Sequence, residues 1–208
     1  MDRQRIILAS TSVYRRDLLC RLNIPFETES PTTDEHPLPG ESPGRLVRRL
    51  SEAKAGSIQL HHPDALIIGS DQVAVLDGDV LGKPGNRAAN IGQLCRAAGR
   101  RVTFLTGLCL LNTRTHRAES DVIPFSVVFR GLTRAQIENY VDREMPFDCA
   151  GGFKSEHLGV ALFQRMEGDD PTALVGLPLI RLVTMLQGQG VDVLGESLKP
   201  QDTLGAFS

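Results

Sequence analysis

Apolar and polar positions along this chain keep changing period, from the alternation or short runs of strands to the three-to-four spacing of helices. Residues 6–9, Ile-Ile-Leu-Ala, form a short apolar run that reads as a buried strand. Ser10, Thr11 and Ser12 follow, and hydroxyl residues there suit a helix N-cap. Tyr14, Leu18, Leu19 and Leu22 then share one face of a helix, with Arg15, Asp17 and Arg21 elsewhere. After a break at Asn23-Ile24-Pro25, residues 26–28 read as a short strand, and residues 30–40, with three prolines, as a loop. Ser42-Pro43 is an N-cap followed by proline at the first helical position. The helix it opens carries Leu46, Val47, Leu50, Ala53 and Ala55. Residues 65–68 are a second buried strand, which ends in Gly69-Ser70-Asp71-Gln72. Residues 73–76 and 80–81 flank Asp77-Gly78 and predict a hairpin.

The second half continues in the same mode. Residues 86–98 read as a helix with Ala89, Leu94 and Cys95 inward. Residues 102–112 read as a long strand with Thr106-Gly107 in its middle, where a glycine points to close approach of a ligand or another backbone. Residues 112–119 form a polar turn, and residues 122–130 return as a strand, bulged or at an edge because of Pro124. Thr133 and Gln136 make a capping box for a helix that Met145-Pro146 ends. A glycine-bearing loop, 149–156, leads to a strand at 160–166, a turn at 167–171 and a last amphipathic helix reaching Leu186. From Gly188 the periodicity fades, and residues 195–208 read as a tail expected to be disordered. No repeat or linker divides the chain, so a single domain over residues 1–194 is expected.

Composition narrows the class. The 208 residues are 41% hydrophobic and 23% charged, ordinary for a globular protein, and the net charge is -2. No global field attracts nucleic acid or an acidic membrane, so neither is an expected partner, and an anionic ligand must be held by local Lys and Arg. The four cysteines, Cys20, Cys95, Cys109 and Cys149, form no C-x-x-C pair. Three lie in apolar patterns and read as reduced core thiols. With no signal-like or membrane-spanning run, a cytoplasmic protein is expected.

Candidate chemistry gathers at the ends of the strands. A strand that turns through small hydroxyls into a helix aims free N–H groups and the dipole's positive end at one spot, which suits phosphate. An ordinary strand–helix unit with a solvated Arg pair fits the same stretch. Arg15 and Arg16 diverge by about 100° around the axis, so one is expected to face the site and the other to pack or pair nearby. Lys54 falls near an apolar helix face, where a lysine either snorkels to the edge or points at an anion. Asp71 follows a buried strand, the place where open sheets keep their chemistry, although it also fits a turn cap. Residues 78–83 look like a Walker A fragment but are one residue short and lack the hydroxyl after Lys83, so that reading is rejected. Ser10, Arg15, Arg16, Glu35, Lys54, Asp71, Gln72, Lys83, Lys154 and Glu156 together offer cations for phosphates and carboxylates for Mg²⁺ or Mn²⁺. His61 and His62 read as dipole partners at a helix end, and His36, His116 and His157 as surface residues.

In this order the motifs resemble the Maf nucleotide pyrophosphatases. They are Leu8-Ala9-Ser10-Thr11-Ser12 with Arg15-Arg16, Asp34-Glu35, Gly69-Ser70-Asp71-Gln72, Gly82-Lys83-Pro84, Thr106-Gly107 and Gly176-Leu177-Pro178-Leu179. Residues 154–156 and 125–130 are closer to the 7-methyl-GTP branch than to the dTTP/UTP branch. The resemblance implies a mixed α/β sheet with flanking helices, in two lobes around a cleft, and an often dimeric protein. It implies hydrolysis of 7-methyl-GTP between the α and β phosphates, with a divalent cation, Mg²⁺ or Mn²⁺, as cofactor. Asp71 would be the proton acceptor. Ser10, Arg15, Lys54 and Lys83 would contact phosphates, Tyr14, Gln72 and Glu156 would set base specificity, and Glu35 with Asp71 would hold the metal. Tyr14 also fits a plain core aromatic. Val13 replaces a usual proline and His157 a usual glycine. A pyrophosphatase for dTTP, UTP or modified pyrimidines, and a nucleotide-binding regulator of cell division, are the alternatives.

Overall fold

The computed structural model describes residues 4–195. The tail expected from Gly195 onward lies, past that residue, outside the described residues. Strands β1 (Arg5–Ala9), β2 (Glu27–Glu29), β3 (Ala65–Leu76), β4 (Asp79–Leu81), β5 (Arg101–Asn112), β6 (Arg117–Phe129) and β7 (Phe163–Glu167) form one mixed sheet. Its order is β2-β1-β3-β5-β6-β7, with β4 also paired to β3. β1 runs parallel to β2 and β3, and the remaining pairs are antiparallel. The helices are α1 (Val13–Cys20), α2 (Pro43–Ser57), α3 (Arg87–Ala97), α4 (Arg134–Glu144), α5 (Thr172–Val175) and α6 (Leu179–Gly188). Among the described residues no helix is long and apolar enough to cross a membrane.

Local chemistry explains most of the helix starts. Ser12 caps α1 by accepting from the Arg15 N–H, Ser42 caps α2 from Arg45 with Pro43 in the first turn, and Asn86 caps α3 from Ala89. Thr133 and Gln136 form the expected capping box on α4. Leu22 falls after the end of α1, although it still packs on the core.

The sheet is covered on both faces. Ile6, Leu8, Leu66, Ile68, Leu108 and Leu110 pack with Leu18 and Leu19 of α1 and Leu182, Met185 and Leu186 of α6. A second cluster joins Leu76, Val102, Phe104, Phe125 and Phe129 to Ile91 and Leu94 of α3 and Ile137 and Val141 of α4. Phe153 and Phe163 meet edge to face within it at 4.8 Å. The opposite face is taken by α2. Ala55 packs with Ile7, Ala9, Ile67 and Cys109, while Leu46, Val47 and Leu50 pack with Val73.

How α2 reaches the sheet is set by two glycines. A Cβ on Gly69 would stand 2.1 Å from the Ser51 carbonyl oxygen, and one on Gly107 would stand 2.2 Å from that of Val47. The expected close approach at Thr106-Gly107 is therefore made by a helix backbone.

Several sequence expectations are corrected. β3 is one strand of twelve residues, so Asp71 lies within it rather than past the end of a shorter one. β5 on its other side pairs with it from Leu66 to Val75, which carries the polar stretch through as strand. β2 sits one residue later than read, and β6 begins at Arg117, before the expected 122. Pro124 faces β5 with β7 reaching only Ser126, so its missing N–H lies where that edge is free. Residues 158–162 form a 3₁₀ turn, and the strand expected at 160–166 is β7. On α3 the inward residues are Asn90, Ile91, Leu94 and Ala97, while Ala89 and Cys95 are exposed. Cys20 is exposed too, leaving Cys109 as the buried thiol among the four. His61 and His62 both bond the Glu29 carboxylate, at 2.6 and 2.7 Å, so a side chain on β2 explains them better than a helix dipole.

The α2 contact generates a prediction. Gly69→Ala forces a methyl against helix backbone that cannot yield like a side-chain tip, and should cost about 1–3 kcal/mol. Urea unfolding measures it, and the same substitution at the open Gly56 is the control.

Candidate active site

The site lies where the sheet has a gap. β1 pairs with β3 only from Ala65 to Gly69, and β4 only from Ala74 to Leu76. On that edge residues 70–73 have no strand partner. The turn from β1 into α1 borders the gap on one side, and the chain leaving β4 at Leu81 borders it on the other. Side chains from both faces of β3 reach around the free edge, and a cleft of about 520 Å³ opens there. It is lined by Ser10, Tyr14, Arg15, Glu35, Lys54, Asp71, Gln72, Lys83, Lys154 and Glu156. Of the candidate constellation only Arg16 is absent from this lining. It pairs with Asp17 on the surface, as one of the two diverging arginines should.

Lys54 is the centre of the arrangement. It is 6% exposed, and its Nζ donates to Asp71 Oδ1 at 2.6 Å and lies 2.7 Å from Glu35 Oε1. The residue that fell near an apolar helix face thus points through it into the cleft. Hydrogen bonding from Lys54 is the main cause that holds the Glu35 carboxyl below its ordinary range; the charges of Lys54, Lys83 and Arg15 add to it, while partial burial opposes it. Burial pulls the Arg15 guanidinium below its ordinary value, with Asp71 and Glu35 pushing it back. Two carboxylates and three cations therefore share one electrostatic neighbourhood, with one positive charge in excess.

Arg15 is held from behind. Its Nε donates to the Gly176 carbonyl at 2.8 Å, and the Ser70 hydroxyl stands 2.9 Å from that oxygen. Gln72 Nε2 reaches the carbonyls of Ala173 and Leu174 at 2.7 and 3.2 Å and Thr106 Oγ1 at 3.0 Å. Its amide nitrogen is committed to α5, so only its carbonyl oxygen has capacity left for a ligand. Asp170, almost wholly buried, accepts from the N–H groups of Thr172 and Ile180 and fixes the corner between α5 and α6.

The other end of the cleft differs in character. Tyr14 stands there with Asp148, Cys149, Lys154, Ser155 and Glu156. Burial raises the Tyr14 phenol above its ordinary value, helped by Cys149, Asp148 and Glu156. Burial also pushes the Cys149 thiol up to about 11, so it is protonated near neutrality. Sequence reasoning did not single out Asp148 or Cys149. Their place at the start of the glycine-bearing loop was the available signal.

The donor set bears on a metal. Among the described residues no three His, Cys, Asp or Glu side chains converge to hold an ion. Glu35 and Asp71 do converge, on the Lys54 ammonium. Two hard carboxylate oxygens around one cation position fit Mg²⁺ or Mn²⁺, which commonly take one or two carboxylates and complete their shell with phosphate and water.

Comparison with known proteins identifies the family. Residues 5–189 match the family described as Maf-like protein. The chain is 53% identical over 195 residues to the 7-methyl-GTP pyrophosphatase of Vibrio vulnificus, covering 94% of this chain and 100% of that protein. It is 55% identical over 188 residues to the protein of that name from Pseudomonas aeruginosa, covering 90% and 98% respectively. Against the Nitrosococcus oceani protein of that name the figures are 54% over 189 residues, 91% and 95%. With the family matched along nearly all the described residues, the chain belongs to the Maf-like protein family.

Proposed function

We propose that this protein is a nucleoside triphosphate pyrophosphatase that splits 7-methyl-GTP between its α and β phosphates, giving 7-methyl-GMP and pyrophosphate. The observation that carries the reading is the buried Lys54 ammonium between Asp71 and Glu35, in a cleft whose other cations are Arg15 and Lys83. The relatives' shared name supports the choice of substrate. Four free cysteines support a reducing, cytoplasmic setting.

The triphosphate lies against Ser10, Arg15, Lys54 and Lys83. Their charges offset its own and stabilise the pyrophosphate as it leaves. Asp71 orients a water and takes its proton as the water oxygen attacks phosphorus; the bond to the bridging oxygen breaks, and that oxygen departs with pyrophosphate. Glu35 and Asp71 would hold Mg²⁺ or Mn²⁺ once Lys54 turns to phosphate, and the bound ion would neutralise phosphate charge. At the far end, Tyr14 stacks on the methylated guanine, whose delocalised positive charge makes a cation–π contact of about 0.5–2 kcal/mol. Glu156 accepts from the guanine N1 and N2 edge, and its charge favours the cationic base.

A triphosphate panel with Mg²⁺ or Mn²⁺, read by pyrophosphate release, should show 7-methyl-GTP turned over best; a preference for dTTP or UTP would overturn the base assignment. Asp71→Asn should lower kcat by about 10²–10⁴, with nucleotide binding retained in calorimetry. An unchanged rate would remove Asp71 as the proton acceptor.

A third prediction concerns acidity. Because Lys54 lowers the Glu35 value, their pairing stabilises the fold above the ordinary carboxylate range and is lost as pH falls through the lowered value. In Lys54→Met, Glu35 should titrate at higher pH than in the parent protein, as followed by carboxyl carbon resonances.

A further inference from the structure

The two lips of the cleft are fastened to one helix that the proposed chemistry does not use. On α3, Asn90 and Gln93 stand one turn apart. Asn90 is 0% exposed, and its Nδ2 donates to the Gly152 carbonyl at 2.9 Å. Gln93 Nε2 donates to the Gly82 carbonyl, also at 2.9 Å. Gly82 immediately precedes Lys83. Gly152 stands just ahead of Lys154 and Glu156 in the loop on the other side. A third bond closes the frame: the Gly85 N–H donates at 2.9 Å to the carbonyl of Phe147, the residue before Asp148.

The unused halves of the two amides point to the same role. Asn90 Oδ1 and Gln93 Oε1 are both buried, and neither accepts a hydrogen bond from the described residues. Among the described residues each amide therefore acts through its nitrogen, as a donor to the backbone of one lip. Gly152 has grown to this fit, since a Cβ there would stand 2.2 Å from Asn90 Nδ2. Phe153, next in sequence, is anchored in the same core as Ile91 and Leu94 of α3.

We propose that Asn90 and Gln93 are positioning residues that register the two lips against each other. Gln93 sets the backbone from which Lys83 reaches the phosphates, and Asn90 sets the loop from which Glu156 reaches the base. This rests on the pyrophosphatase reading above. The two contacts act on different ends of the substrate, so their losses have different signatures, whereas general loosening of α3 would affect both ends alike.

The test compares Gln93→Glu, Gln93→Lys and Asn90→Ser with the parent enzyme on 7-methyl-GTP and GTP, with melting temperatures alongside. Gln93→Glu places an acceptor against the Gly82 carbonyl and should lower kcat/KM on both substrates by a common factor, about tenfold to a hundredfold, leaving their ratio unchanged. Gln93→Lys restores a donor and should recover most of that loss. Asn90→Ser should reduce the preference for 7-methyl-GTP over GTP several-fold. Equal losses in all variants on both substrates, tracking a lower melting temperature, would overturn the proposal, and so would full activity in Gln93→Glu. Should Asn90→Ser fail to fold, the two Gln93 variants still decide, because rescue by lysine requires the donor. A parent enzyme active on 7-methyl-GTP with unaffected variants refutes the clamp alone; a parent that splits no triphosphate refutes the reading beneath it as well.

Discussion

An ammonium group taken out of water has to be met by opposite charge, and in this protein that condition falls on Lys54. Its desolvation costs several kcal/mol unless it is paired and hydrogen-bonded. Asp71, itself only 8% exposed, meets it at 2.6 Å, and Glu35 adds a second oxygen at 2.7 Å. The two partners are unequal. Glu35 is largely open to solvent, where screening leaves an ion pair little net strength, so the Asp71 contact carries most of the compensation. That contact exists because α2 lies directly on β3 and β5. The helix can come that close only where Gly69 and Gly107 omit their side chains. Two missing methyl groups on the sheet thus set the distance between the cation and the carboxylate.

The gap in the sheet does the rest. Had β1 run further along β3, or β4 continued past Leu81, residues 70–73 would be paired on that edge. Because both neighbours stop short, Asp71 from the α2 face and Gln72 from the α5 face open on the same cleft. One end of the cleft is rich in cations and the other holds Tyr14, Asp148, Lys154 and Glu156, a separation that under the proposed function suits a ligand with polyanionic and cationic ends. The α5–α6 corner braces Arg15 and Gln72 through its carbonyls, and the buried Asp170 holds that corner.

Much of this was legible in the residues themselves. The Thr133–Gln136 capping box, the Ser-Pro helix start and the Asp-Gly hairpin are local chemistry, and local chemistry survives folding. The candidate polar residues other than Arg16 line one cleft, although Asp71 and Gln72 reach it from the unpaired middle of β3 rather than from a strand end. What stayed hidden depended on distant partners. The run Gly69-Ser70-Asp71-Gln72 looks like the end of a strand, yet β5 pairs with it from the side and carries it through. Asn90 looks like a solvent position on α3, but Gly152, 62 residues on, makes it the inward one. The histidine pair could not be assigned to Glu29 without knowing that β2 comes to rest beside it.

The whole account requires that the triphosphate displace Lys54 from its carboxylates and lie between it, Arg15 and Lys83. A crystal structure with a non-hydrolysable 7-methyl-GTP analogue and Mg²⁺ tests this most directly. The account predicts the Lys54 Nζ on a phosphate oxygen, the ion on Glu35 and Asp71, and the methylated base against Tyr14. An analogue bound outside this cleft, with Lys54 still locked between Glu35 and Asp71, would contradict it.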